Sequence, residues 1–163
     1  MEEPIIRPKA VDSAFQAVLA SVAVSCLGTV FTVLLDRALL TSWVSETIDA
    51  MPPDQRLSPG TMVGAMQVIL AFSIAVFAGL FVLFAVKMRA GRNWARIVIT
   101  IYTAMGVWSF LTAIAGSGAE LELIWSLAEV AFGVTAVVYM FRPESTKYFA
   151  EHKQRRLRAR QRP

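Results

Sequence analysis

The sequence contains four long stretches that are almost free of charged residues, and this feature restricts the fold more than any other. Residues 14–35, 57–86 and 97–119 carry no Asp, Glu, Lys or Arg, and residues 123–141 carry only Glu129. A helix needs about 20 mainly apolar residues to cross a hydrocarbon core of about 30 Å, because each residue adds about 1.5 Å. In lipid a helix also satisfies its own backbone hydrogen bonds. The chain is therefore predicted to be all-α, with a bundle of four transmembrane helices.

Two regions are expected along the chain. Residues 1–142 form the predicted membrane domain, with spans at about 13–35, 61–86, 95–116 and 121–141. Asp12 or Ser13 is expected to cap the first span by accepting hydrogen bonds from its first-turn N–H groups. Residues 143–163 form a basic, amphipathic tail, in which Pro143 is expected to begin a new helix.

The composition excludes most enzyme classes. Of the 163 residues, 56% are hydrophobic and only 17% are charged, whereas a soluble domain has about 25% charged residues. Cys26 is the only cysteine and His152 the only histidine, which excludes an intramolecular disulfide, a four-cysteine zinc site and a Ser-His or Cys-His relay. Neither glycine-rich phosphate-binding pattern occurs. We expect a protein that is not an enzyme and that uses no metal or cofactor.

The basic residues predict the orientation. With four spans, the two termini and the second loop lie on one side, and that side holds 14 of the 16 Lys and Arg residues. The other side holds only Arg37 and Arg56. Cytoplasmic loops are enriched in Lys and Arg, so both termini are expected in the cytoplasm, with the protein in the plasma (inner) membrane.

The first loop, residues 36–62, faces outward in this topology. Its apolar residues recur at spacings of three and four, which predicts a short amphipathic helix that Pro52 and Pro53 end; these residues are Leu40, Trp43, Val44, Ile48 and Met51. The helix is expected either to lie on the outer membrane surface or to fold over the mouth of the bundle.

Glu129 is the only charged residue within the fourth apolar stretch, close to the membrane midplane. It shares one helical face with Glu122 and Ser126. A charge at this depth costs roughly 2.5–3.5 kcal/mol on insertion scales, so such a residue is a functional candidate. We expect Glu129 to be protonated and hydrogen-bonded to one of four side chains, which are Ser25, Ser73, Tyr102 and Thr103. It acts either as a contact between helices or as a proton or cation relay.

Small residues on the second span suggest where helices approach closely, because small side chains allow helices to pack in lipid. They are Gly60, Gly64, Ala71, Ala75 and Gly79. Packing inside one molecule and packing between two copies are both consistent with this stripe.

Basic and aromatic residues near the cytoplasmic side are expected to bind anionic lipid headgroups of that leaflet. They are Arg89, Arg92, Trp94, Arg96, Lys153, Arg155, Arg156, Arg158, Arg160 and Arg162. Gly91 is expected to permit the tight reversal between the second and third spans. Nucleic acid is disfavoured as a partner, because only Tyr148 and Phe149 accompany the basic tail as stacking groups.

Two segments resemble those of a loose group of small four-helix membrane proteins of actinobacteria, mycobacteria included. The first is the Arg-x-Gly-Arg-x-Trp-Ala-Arg pattern of residues 89–96, and the second is Phe-Arg-Pro-x-Ser-x-x-Tyr-Phe at residues 141–149. The resemblance implies a bacterial plasma-membrane protein and implies no catalytic residue.

The absence of catalytic motifs and the small-residue stripe favour an accessory or scaffold protein. We expect it to associate with other envelope or transport proteins, or with copies of itself, through its transmembrane helices. The alternative is a small proton- or cation-coupled transporter or channel subunit that uses Glu129.

Overall fold

The computed structural model describes residues 5–31, 37–52, 58–116 and 120–161, and within these the side chains of 37–39, 120–122 and 160 are not described. The described residues form six α-helices and no β-strand. In chain order the helices are α1 (Lys9–Thr29), α2 (Arg37–Asp49), α3 (Pro59–Arg89), α4 (Asn93–Ala115), α5 (Glu120–Met140) and α6 (Pro143–Gln161).

Four helices are long and apolar enough to cross a membrane: α1, α3, α4 and the part of α5 from Leu123 to Met140. The all-α class and the four apolar helices are therefore confirmed. The first helix begins at Lys9, four residues before the predicted start, and its predicted end at residue 35 lies outside the described residues. The capping role of Asp12 or Ser13 is wrong, because both residues lie inside α1, and the carboxylate of Asp12 pairs with two arginines.

The structure divides into two compact units. Unit 1 comprises residues 1–25 and 80–163, and unit 2 comprises residues 26–79. The core of unit 1 is concentrated where α6 meets the start of α1, the end of α3, the start of α4 and the end of α5. Its buried residues are Val11, Ala14, Ala17, Val18, Ala85, Met88, Ala95, Ile99, Ala136, Met140, Tyr148 and Phe149. We call this region the α6 end.

The sequence of α6 explains why it packs at this end. Pro143 is tolerated in a first turn, where its missing N–H would have no helical partner, and Glu144 complements the positive N-terminus. Ser145, Tyr148 and Phe149 recur at helical spacing and are buried, and the Ser145 hydroxyl donates to the Tyr139 carbonyl at 2.8 Å. These residues fasten the start of α6 to the end of α5.

Unit 2 contains the end of α1, all of α2 and the first part of α3. The predicted helix after residue 36 is present as α2, with Leu40 and Val44 buried one turn apart and Trp43 about half exposed. The helix ends before Pro52, and Ala50 N donates to the Glu46 carbonyl at 3.2 Å. Its position at a membrane surface stays a prediction, and Pro53 lies outside the described residues.

Candidate intramembrane polar site and the α6 end

Glu129 lies in the middle of α5, and two other helices of unit 1 supply its polar neighbours. The Tyr102 hydroxyl on α4 donates to Glu129 Oε1 at 3.5 Å, at the long limit of a hydrogen bond, and the Ser25 side chain is a second hydrogen-bonding partner. The Ser21 hydroxyl donates to the backbone carbonyl of Glu129 at 3.2 Å. The carboxyl group therefore belongs to a polar cluster that joins α1, α4 and α5.

The other candidate partners of Glu129 have different surroundings. Thr103 packs on Gly133, where an added Cβ would come within 3.1 Å of Thr103 Cγ2, so this glycine lets α4 and α5 approach closely. The Ser73 hydroxyl donates to the Ile69 carbonyl of its own helix at 2.8 Å. The side chain of Glu122 lies outside the described residues.

An open groove runs along α4 and α5 from Glu129 and Tyr102 toward the end of α4. It has a volume of about 440 Å³. Ser109 and Ser126 line its polar side, and the rest of its lining is apolar or small: Met105, Gly106, Phe110, Ala113, Leu123 and Val130. A Cβ added at Gly106 would meet no atom within 4 Å, so this glycine leaves space that the helix pair itself does not fill. The spacing of Glu129 and Ser126 indicates this polar face, but the sequence gives no direct signal for the groove.

At the α6 end, Arg89 is the centre of a second polar cluster. Arg89 Nε donates to Asp12 Oδ1 at 2.9 Å, and the same oxygen lies 3.5 Å from an Arg7 nitrogen. The Tyr148 hydroxyl donates to the Arg89 carbonyl at 3.0 Å. The Arg89 guanidinium also lies 4.8 Å from the centre of the Phe15 ring, a cation–π contact. The N-terminal segment, the end of α3 and α6 therefore meet at one end of unit 1.

The turn between α3 and α4 receives the middle of α6. Gly91 has a φ of +74°, which an L side chain adopts only with strain, and an added Cβ would come within 2.6 Å of His152 Cδ2. Both terminal nitrogens of Arg156 donate to the Gly91 carbonyl, at 3.2 and 3.1 Å. Gly91 is needed for the predicted reversal and also to accommodate the imidazole ring, a contact that the sequence does not indicate.

The charge environment of His152 favours its neutral form. Removal from water and the nearby guanidiniums of Arg156 and Arg155 lower the pKa of His152 below its ordinary value. Glu151 opposes this effect and Arg7 adds to it. His152 also packs edge-on against Tyr148, with ring centroids 4.5 Å apart.

The residues predicted to bind lipid headgroups fall into two groups in the structure. Arg89, Arg96 and Arg156 have partners in the protein: Arg96 is 8% exposed, and its guanidinium lies 3.7 Å from the Phe141 ring centre and 5.3 Å from that of Phe149. The exposed group consists of Arg92, Trp94, Lys153 and Arg158, whereas Arg155 is partly buried. Arg160 and Arg162 lie outside the described side chains.

The small-residue stripe of α3 lies in unit 2 and is open among the described residues. Added Cβ atoms at Gly60, Gly64 and Gly79 would meet nothing within 4 Å, and Ala71 and Ala75 are exposed. Gly133 is different, because Thr103 occupies the space beside it. Packing of the stripe within one molecule and packing between two copies both stay predictions.

Comparison with known proteins adds no family to this description: no protein-family model, no curated protein and no solved structure matches the chain.

Proposed function

We propose that this chain is a multi-pass protein of the plasma membrane, with both termini in the cytoplasm, that acts by associating with other membrane proteins. The observation that carries the proposal is the unoccupied stripe of small residues on α3, which are Gly60, Gly64, Ala71, Ala75 and Gly79. Such residues let a second helix approach closely in lipid, where packing replaces water exclusion as the source of association. The role is that of an accessory or scaffold subunit, without catalysis.

The basic residues support the orientation. The segment around Arg7, the end of α3 and α6 contact one another through Asp12, Arg89 and Tyr148. This end of unit 1 carries the exposed Arg92, Trp94, Lys153 and Arg158, which suit anionic headgroups of the cytoplasmic leaflet. The likeness of residues 89–96 and 141–149 to small actinobacterial membrane proteins agrees with a bacterial plasma membrane.

The test compares two leucine substitutions on the same helix. Gly64→Leu fills the stripe, whereas Ala65→Leu adds a similar volume at an exposed position beside it. The tagged full chain is purified in mild detergent, and co-purifying membrane proteins and chemically cross-linked copies are quantified. We expect one defined set of partners with the native chain and with Ala65→Leu, and loss of most of that set with Gly64→Leu. A native chain that purifies as a lone monomer, or a Gly64→Leu variant that keeps every partner, would contradict the proposal.

The second candidate function is a proton- or cation-coupled transporter or channel subunit. The observation that favours it is the cluster of Glu129, Tyr102 and Ser25 beside an open groove in the apolar region. Glu129→Gln keeps a hydrogen-bonding group and removes the titrating one. A proton flux in liposomes that disappears with Glu129→Gln would support this function, and the absence of any flux from the native protein would eliminate proton transport.

A further inference from the structure

The groove between α4 and α5 combines an apolar lining with hydrogen-bonding groups at one end. Its volume of about 440 Å³ lies within the range of about 300–1,000 Å³ that is typical of small-molecule sites. Glu129 and Tyr102 lie at mid-helix, and Ser126 and Ser109 continue the polar side away from them. Small-molecule sites have the same division, with mostly apolar walls and a few polar groups that fix orientation.

Gly106 borders the groove at a point where the space is open. The surroundings of Gly133 on α5 are different, because Thr103 packs beside it and Thr103 Cγ2 lies 3.1 Å from the position of an added Cβ. A Cβ added at Gly106 would meet no atom within 4 Å. Gly133 thus allows α4 and α5 to pack closely, whereas Gly106 leaves a space that is open to the surroundings of the helix pair.

The lining also determines which ligand chemistry fits. Among the described residues that border the groove, Glu129 is the one ionisable carboxyl group, and none is Lys, Arg or His. A carboxyl group in an apolar setting is stabilised by a partner that donates hydrogen bonds and brings the opposite charge. An amine does both, and the pair is neutral overall whether the proton lies on the nitrogen or on the carboxyl group.

We propose that the α4–α5 groove binds a lipophilic amine, with its nitrogen at Glu129 and its hydrocarbon part along Gly106, Phe110 and Leu123. The ligand reaches the groove from the hydrocarbon region, because the lining belongs to two helices that are long and apolar enough to cross a membrane. Tyr102 and Ser126 orient the polar end beside the carboxyl group. This site does not depend on the α3 stripe, so either proposal can fail without the other.

The experiment uses two matched probes and the full chain in nanodiscs of zwitterionic phosphatidylcholine. One probe is a long-chain primary amine with a photoreactive diazirine in its chain, and the other is the alcohol of the same length. After irradiation, labelled residues are mapped by mass spectrometry. We expect the amine to label α4 and α5 residues of the groove, such as Phe110 and Leu123, in preference to the exposed face of α3.

Three variants separate the parts of the proposal. Glu129→Gln should lower amine labelling of the groove about tenfold, because the amide still accepts a hydrogen bond from the amine but loses the charge-assisted part of that bond. Alcohol labelling should stay unchanged. Gly106→Leu should lower labelling by both probes because it fills the groove. Ala104→Leu, at an exposed position on the same helix, should behave as the native chain.

Two results would overturn the proposal. The first is amine labelling spread evenly over all exposed apolar faces, which indicates partition into lipid only. The second is groove labelling that Glu129→Gln leaves unchanged. Far-ultraviolet circular dichroism and gel filtration of each variant show that it is folded before it is compared.

Discussion

The α6 end and the middle of the α4–α5 pair are built from similar apolar residues but are organised in different ways. At the α6 end, Met88, Met140 and Phe149 are at most 2% exposed. Along α4, Ile101, Met105 and Trp108 are 56–70% exposed. The fold is therefore held mainly at the α6 end, which has a dense core and polar contacts across four segments of the chain, whereas the apolar side chains of α4 are exposed.

The polar contacts differ in the same way. At the α6 end, carbonyl groups of Arg89 and Gly91 accept from Tyr148 and Arg156 at 3.0–3.2 Å, so the helix is fixed to backbone atoms. At mid-helix, the contact of Tyr102 with Glu129 is 3.5 Å long and adjoins an open groove. The contacts at the α6 end suit a role in stabilising the fold, whereas the contact of Tyr102 with Glu129 leaves room for a bound partner.

The largest difference between the regions is expected from two aromatic truncations. Phe149→Ala removes a ring that is 2% exposed and should lower the free energy of unfolding by about 3–5 kcal/mol. Trp108→Ala removes a ring that is 70% exposed and should change it by less than about 1 kcal/mol. Reversible unfolding in mixed micelles measures both. Equal losses at the two positions would show that the α6 end is not the stable region.

Two glycine substitutions give an intermediate effect. Gly91→Ala forces a side chain into a positive φ and against His152, and should lower stability by about 1–3 kcal/mol and loosen α6. Gly106→Ala meets open space within a helix and should be neutral or stabilising by up to about 1 kcal/mol. Trypsin cleavage within α6 reports the loosening. If α6 in Gly91→Ala were as resistant to trypsin as in the native chain, the contact of His152 with Gly91 would not hold the helix.

The smallest effect is expected from pH. Since the pKa of His152 is lower in the folded chain than in the unfolded chain, the unfolded state binds more protons as the pH falls through about 6.5. The contribution of neutral His152 to the free energy of unfolding should therefore be fully present above this pH and decline below it. The α6 end should become more sensitive to trypsin between pH 8 and pH 5.5 when cleaved in short, activity-corrected pulses, and His152→Asn should remove most of that change. A pH response of equal size in His152→Asn would assign it to another group.

The sequence predicts the helices better than the contacts between them. The uncharged runs indicate the four long helices, because few other backbone conformations satisfy their own hydrogen bonds in lipid. Pro143 indicates where α6 begins. The start of α1 is missed because Val11 is buried in the core and Asp12 pairs with Arg89, which lies 77 residues away in the chain. Local patterns carry no information about such a partner.

The candidate site shows the same division. The spacing of Ser126 and Glu129 predicts a polar face on α5, and Tyr102 is among the partners considered from the sequence alone. An added Cβ would meet open space at Gly106, which borders the groove, and would meet Thr103 at Gly133. The sequence cannot distinguish two glycines in this way without the packing of α4 on α5.

The proposed topology has four membrane crossings, with the α6 end in the cytoplasm. Single cysteines at Ser42 in α2 and at Lys153 in α6, each in a Cys26→Ser background, test it with a membrane-impermeant maleimide on intact cells. We expect labelling of Ser42→Cys in intact cells and of Lys153→Cys only after the cells are permeabilised. Labelling of both in intact cells, or the reverse pattern, would contradict this topology.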